Sequence, residues 1–261
     1  NVDYQARTNG SSSYQAGFNI QSNYLANKIY VNYKKDGNWR NFREYTLNYD
    51  ALDMATPKLI KLEEKAGALT LPAIEFSYYA ESGAAHLLKT ISNNRGGKIN
   101  LRYQPSGKYA DLENNPANPK LPFILQTLQA IEYQDLINNV TQTKTFSYGG
   151  GHYYYSDQDL FGRQFSGFNV VTVTDDQGFI EKDYFHQSQF STDNSQPLGE
   201  FDDHISKKGK LFRQAIYDQN NNLRRLRLNK YQRKALSGSG ETERNFVYPE
   251  TQLQADLSGS S

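Results

Sequence analysis

Residues 146–179 read FSYGGGHYYYSDQDLFGRQFSGFNVVTVTDDQGF. Three glycines, three tyrosines and a Gly-Phe pair precede a β-branched run at 170–174, and DDQG follows it. Two readings compete: a glycine-rich loop cradling a ligand, or the turn chemistry of a strand-rich scaffold. The stretch has no GK[ST] and no G-x-G-x-x-G in a strand–turn–helix setting, so neither phosphate-binding fingerprint applies. Glycine is equally useful where strands bend or cross, because it tolerates positive φ and leaves no side chain in the way. A turn or bulge is therefore expected at 149–151, and also at RGG (95–97).

Working outward, period-two alternation dominates. In KINLRY, Ile99, Leu101 and Tyr103 face one way and Lys98, Asn100 and Arg102 the other, the pattern of a strand with one dry and one wet face. EYTLNY repeats it with Tyr45, Leu47 and Tyr49, KIYVNY with Ile29, Val31 and Tyr33, and KTFSY with Phe146 and Tyr148. Further strands are expected at 170–174, 179–185, 211–217 and 223–228. KKDGN, ENNPANP, TDDQG, KKGK and DQNNN supply the Asn, Asp, Gly and Pro of reversing backbone, and DDQG and DQNNN read as hairpins. LPFILQTLQAIEYQDLINN (121–139) fits an amphipathic helix or a long strand; Pro122 and the surrounding alternation favour the strand. Strand–turn–strand spacing without intervening helices predicts an all-β, antiparallel architecture, with a β-sandwich as the alternative. The expected organisation is a weakly patterned, strand-poor segment over 1–41, a sheet over 42–236 and a Ser/Gly-rich segment over 237–261. A strand ending in Tyr-Asp followed by a turn and another strand occurs twice, at 48–64 and 216–228.

Composition narrows the function. The chain has 261 residues, 20 Tyr, 14 Phe, no Cys and a net charge of +1. Abundant aromatics suit half-buried strands and argue against disorder. Without cysteine there is no disulfide, thiolate metal site or thiol nucleophile. The balanced charge gives no reason to expect a nucleic acid, and no apolar run approaches a membrane span. NVDYQARTNG has no initiator Met and no signal-peptide pattern, so the chain is expected to be a piece of a longer polypeptide.

Candidate sites were weighed against scaffold roles. His86, His152, His186 and His204 lack metal-ligand spacing, and His186 is expected to pack on a sheet or at its rim. Glu63–Glu64, Asp175–Asp176 and Asp202–Asp203 are sequence neighbours, which do not span a glycosidase cleft. DNSQPLGEFDD carries oxygen ligands without a calcium-loop spacing. In LRRLRLNKYQRK, Leu226 and Leu228 oppose Arg225 and Arg227, as on a wet strand face. Tyr153, Tyr154, Tyr155, Phe165 and Phe168 are expected in cross-strand pairs rather than stacked on sugars. No catalytic, cofactor-binding or metal residue is assigned.

The order of motifs resembles the Rhs/YD-repeat superfamily, in particular the middle region of Tc insecticidal toxin B components and virulence-plasmid-B-type proteins. The matching pieces are LPAIEFSYY (71–79), LLKTISNNRGGKINLRYQPS (87–106), LPFILQTLQAIEYQD (121–135), the opening stretch through Asp175, DYFHQ (183–187) and GKLFRQAIYD (209–218). Departures are Gln158 and Leu160 in place of an acidic turn, and Asn169 where glycine is common. The resemblance implies long antiparallel strands forming part of a β-shell, non-enzymatic, around a toxin cargo, in a bacterial secreted or surface protein. Its implied partners are the rest of the same polypeptide, neighbouring shell segments and the enclosed cargo. The self-cleavage motif Asp-Pro-x-Gly-Leu is absent, so no catalytic residue carries over. A β-rich adhesin or carbohydrate-binding module is the alternative.

Overall fold

The computed structural model describes residues 1–14, 16–50, 56–81, 83–111, 113–155, 163–187, 204–238 and 243–257. They fall into two compact units, Asn1–Leu101 with Glu132–Thr141, and Arg102–Ile131 with Gln142–Ser261. Unit 1 holds β1 (Val2–Ser13), β2 (Ile20–Lys35), β3 (Asn38–Tyr49), β4 (Leu59–Ala66), β5 (Leu69–Thr70), β6 (Ile74–Tyr78) and β7 (Leu88–Ser92). Three strands have residues in both units: β8 (Gly97–Pro105), β9 (Gln126–Asp135) and β10 (Val140–Gly149). Unit 2 adds β11 (Tyr153–Tyr154), β12 (Gln164–Phe165), β13 (Val170–Asp175), β14 (Ile180–Phe185), β15 (Leu211–Tyr217), β16 (Leu223–Ser237) and β17 (Arg244–Asp256). The only helical turns among the described residues are 3-10 turns at Ser106–Lys108 and Ile205–Lys207. The all-β, antiparallel expectation holds, and within 121–139 the chain forms a strand over Gln126–Asp135 rather than a helix.

In unit 1 the strand order is β1-β2-β3-β4-β6-β7-β8, with β5 beside β4; in unit 2 it is β8-β9-β10-β13-β14-β15-β16-β17, with β11 and β12 a separate pair. Nearly every strand pairs with its neighbour in sequence, so local turns set the register. One turn recurs. At Asn93, Asp111, Asp175 and Asp218 the side-chain Oδ1 accepts the backbone N–H groups of the second and fourth residues onward, at 2.8–3.0 Å. The same residue's N–H donates to the fourth residue's carbonyl. The third residue, Gly96, Asn114, Gly178 or Asn221, has positive φ. Asn and Gly enter that region at least cost, and the short Asx side chain satisfies amides the bend would strand. RGG, DDQG and DQNNN are therefore turns, as expected. Asp50 accepts from Lys58 N–H at 2.8 Å, so in both copies of the Tyr-Asp repeat the aspartate takes the backbone N–H just before the next strand.

Register confirms the alternating faces of unit 1. Tyr45 lies opposite Ile29, Leu47 opposite Leu62, and Leu62 opposite Ile74. The other face carries ions: Lys28 bonds Glu44 at 2.8 Å and Lys61 bonds Glu63 at 2.8 Å. Glu64, on the apolar side, pairs with Arg43. Glu63 and Glu64 thus point to opposite faces and form no couple. One expectation fails here. Residues 1–41 are not strand-poor: β1, β2 and the start of β3 lie there, and β17 lies within 237–261. β1 and β17 alternate weakly because both their faces are largely exposed, so no buried stripe marks them, whereas the alternation of KIYVNY lies in the half-buried centre of β2. The dry faces elsewhere are also only half-buried.

Deep burial is confined to unit 2 among the described residues, at Tyr109, Ala130, Phe212 and Ala215 and at polar residues such as Asn118 and His186. The basic β16 is neutralised strand by strand. Arg225 pairs with Asp256 at 2.5 Å, Lys230 with Glu250 at 2.9 Å and Arg233 with Glu243 at 3.0 Å. Arg224 reaches Asp218 at 2.5 Å. The wet-face reading is correct, and this strand offers a polyanion little unmatched charge.

Two carboxyl environments give opposite pH effects. Backbone N–H donation from Asn222, aided by Arg224, holds the buried Asp218 carboxyl down at about 2. A depressed acid stabilises the fold above its unfolded value of 3.8 and loses that contribution as pH falls toward 2. Asp218→Asn is expected to lower Tm at pH 7, with the deficit vanishing as pH approaches 2 in thermal melts. Glu181 and Asp183, on one face of β14, are pushed up, chiefly by burial, although Gln214 Nε2 donates to both at 2.6 and 3.0 Å. A raised acid favours the fold at low pH and loses that contribution as pH rises through its folded value. Asp183→Asn keeps an acceptor for Gln214 and is expected to raise Tm at pH 7 but not at pH 3.

Candidate functional site

Three excursions interrupt the meander of unit 2, described over 106–111 and 113–125, over 150–155 and 163–169, and over 186–187 and 204–210. The first is clamped by Ser106, whose N–H donates to Leu125 O at 2.7 Å while its Oγ accepts from Leu125 N–H at 3.0 Å. Asn118, buried, ties this excursion to the second. Its Nδ2 donates to Ser106 O and Tyr148 O, both at 3.0 Å, and its Oδ1 accepts from Gly151 N–H at 2.7 Å. Gln187 ties in the third, donating to Gly150 O and to Gly167 O. Where they meet lies a cleft of about 1020 Å³.

The three glycines shape this cleft. Gly149 closes β10 opposite Val170. Gly150 has φ +64°, and a Cβ there would stand 2.5 Å from the Asn169 side chain. A Cβ on Gly151 would meet Asn118 Oδ1 and Phe168 at 3.0 Å. The turn-or-bulge expectation is right for the backbone, and the same residues line a concavity. Tyrosines and phenylalanines next to it pack edge to face. Tyr148 sits 5.6 Å from Tyr109 and 5.0 Å from Phe168, and Phe123 sits 5.5 Å from Tyr153. Tyr153 also lies opposite Phe165 in the β11–β12 pair, the cross-strand use expected for these rings. Burial, with the nearby Tyr109, pushes the Tyr148 phenol up to about 12, so it stays neutral at any physiological pH.

The remaining sequence candidates scatter. His186 is buried just past β14, 4.8 Å from Phe212 and 6.1 Å from Tyr231, as a packing residue at the sheet rim. His204 caps Ile205–Lys207 through Nδ1, His86 sits in a turn with φ 83°, and His152 lines the cleft. Among the described residues no three His, Asp or Glu side chains gather to hold a metal. Asp175 is a turn acceptor. Asp202, Asp203, the 193–203 oxygen-rich stretch, Gln158 and Leu160 lie outside the described residues. Asn118 and Gln187, the two ties that build the cleft, were not singled out in the sequence. The only signal was an Asn amid prolines and a Gln after the Phe-His pair.

Removing either tie strands buried backbone groups, at about 1–3 kcal/mol for each substitution. Asn118→Ala and Gln187→Ala are each expected to lower the urea midpoint accordingly. Asn169→Ala, at a partly exposed neighbour, is expected to cost less.

Residues 69–194 match the model of a family described as "Insecticide toxin TcdB middle/N-terminal region". No curated protein matches the chain. Among solved structures it is similar to the "Crystal Structure of TcdB2-TccC3-Cdc42", at 14% identity and TM-score 0.50, covering 82% of this chain and 14% of that one. It is also similar to the "Tc holotoxin pore" of Photorhabdus luminescens, at 16% identity and TM-score 0.50, covering 92% of this chain and 14% of that one. At such identity these structures speak to the fold, and the chain spans about a seventh of their length. The resemblance read from the motifs of residues 71–218 is borne out over residues 69–194, which are similar to the middle region of Tc toxin B components.

Proposed function

We propose that this chain is a non-enzymatic wall segment of a large bacterial Tc-toxin-like polypeptide, secreted or displayed at the surface, in which joined antiparallel ribbons enclose a toxin cargo. The observation that carries it is the half-burial of both sheet faces together with long strands, β1 and β17, at the ends of the strand order. A wall has two partly wet faces and extends by adding strands at an edge, whereas a globular sandwich hides one face of each sheet. Apolar residues such as Leu236, Phe246 and Leu253 on the terminal ribbon are exposed, as expected where further polypeptide covers them. By this reading β1, β2 and β17 belong to the wall as well as residues 42–236. Its partners are the rest of its own polypeptide and a component equivalent to the TccC3 named with the similar structures.

Glycan binding through Tyr153, Tyr154 and Tyr155 has less support. Tyr153 is committed to Phe123 and Phe165, and Arg163 lies over the Tyr155 ring at 4.3 Å.

Electron microscopy of the full-length polypeptide with its partner component is expected to show a hollow particle whose wall includes this segment. Cargo inside it is expected to resist added protease until the shell is opened. A solid particle, or cargo cleaved as fast as the free protein, overturns the proposal.

A further inference from the structure

The cleft of unit 2 has a floor set by register. Ser147 lies opposite Thr172, and Thr172 opposite Lys182, so the three side chains form one row across β10, β13 and β14. Directly paired residues share a sheet face and stand about 5 Å apart. The next row is Gly149, Val170 and Tyr184, paired in the same way. All six line the cleft. The floor is thus a hydroxyl–hydroxyl–ammonium row beside a glycine–valine–tyrosine row.

The polar row is uncommitted. Ser147 and Thr172 make no side-chain hydrogen bond within the described residues, and Lys182 has no carboxylate partner there. Its ammonium lies 5.3 Å from the Tyr217 ring centroid. The walls add Lys120 and one acid, Asp111. Asp111 is already satisfied by Glu113 N–H at 2.9 Å, Asn115 N–H at 2.8 Å and Asn115 Nδ2 at 3.3 Å, and these bonds hold its carboxyl below the usual range. The charge open to a ligand is positive. Tyr109 and Tyr148 supply apolar wall beside it.

We propose that this cleft binds a carboxylate carried on an apolar or aromatic stem. Lys182 takes the charge, Thr172 and Ser147 donate hydroxyl hydrogen bonds to the carboxylate oxygens, and the stem lies over Val170 and Tyr184. The Lys182 ammonium beside two neutral hydroxyl donors, with Lys120 on the wall, suits a carboxylate. The concave site, mostly apolar with a few convergent polar groups, has the form of a ligand pocket. Such a carboxylate could come from a free organic acid or from an acidic residue in an extended peptide; the recognition chemistry is the same. The inference is independent of the wall reading, since it concerns unit 2 alone.

Isothermal titration of the 261-residue chain with 3-phenylpropionate, its amide, and the peptides acetyl-Ala-Glu-Phe-amide and acetyl-Ala-Gln-Phe-amide tests it. Each acid is expected to bind at least tenfold more tightly than its neutral counterpart, with affinity falling as salt rises. Lys182→Met is expected to weaken acid binding at least tenfold, and Thr172→Val several-fold, with melting temperatures near that of the parent. If one variant unfolds, the other and the acid-to-amide comparison still decide. Tighter binding of the Glu peptide assigns the source to a protein segment, and tighter binding of 3-phenylpropionate assigns it to a free acid. Equal binding of acid and amide, no binding of any probe at millimolar concentration, or unchanged acid affinity in folded Lys182→Met overturns the proposal.

Discussion

The structure depends on a side-chain oxygen placed at the start of a turn. A chain that reverses between antiparallel strands leaves the amides of the bend without ladder partners. At 93, 111, 175 and 218 one Asx oxygen takes two of them, and a Gly or Asn three residues on accepts the positive φ that the reversal demands. Each such bond is worth only about 1 kcal/mol, but the geometry leaves one register for the strands it joins. A sheet assembled from neighbours in sequence needs few long-range choices, so the local device propagates along each unit.

That manner of building accounts for the shallow burial within each unit. Pairing strand to neighbour satisfies backbone polarity but does not bring a second layer onto either face. Unit 1 accordingly has no deeply buried residue among those described, and it relies on cross-strand aromatic, aliphatic and ionic pairs. Unit 2 gains a core only where the meander is interrupted. There Asn118 and Gln187 substitute for ladder bonds, tying the described stretches around Ser106, Gly150, Gly151 and Gly167 together. The cleft is the gap these interruptions leave beside the sheet.

Charge follows the same logic. Basic residues of β16 meet acidic ones on β17 because alternation places both on the same face in a fixed register. Lys182 escapes this neutralisation because its cross-strand neighbours are Thr172 and Ala215. Glu181 and Asp183 lie one residue to either side and therefore on the opposite face. A one-residue change of register would exchange these environments entirely.

The alternation of KINLRY and EYTLNY, the Asx and Gly punctuation, and the ordered motifs of 71–218 made the fold class, most turns and the relationship legible in the sequence. Those signals are local, spanning two to five residues, which is the range over which strand faces and turns are decided. Strands β1 and β17 escaped notice because both their faces are largely exposed, so no buried stripe marks them. The cleft was hidden for a different reason. Ser147, Thr172 and Lys182 are 25 and 10 positions apart along the chain, and only strand pairing sets them in a row. Sequence by itself determined where the backbone extends under a half-buried face and where Asx and Gly residues reverse it. Tertiary structure alone decided which side chains face each other across strands, because that depends on distant hydrogen-bonded partners and not on any residue's own neighbours.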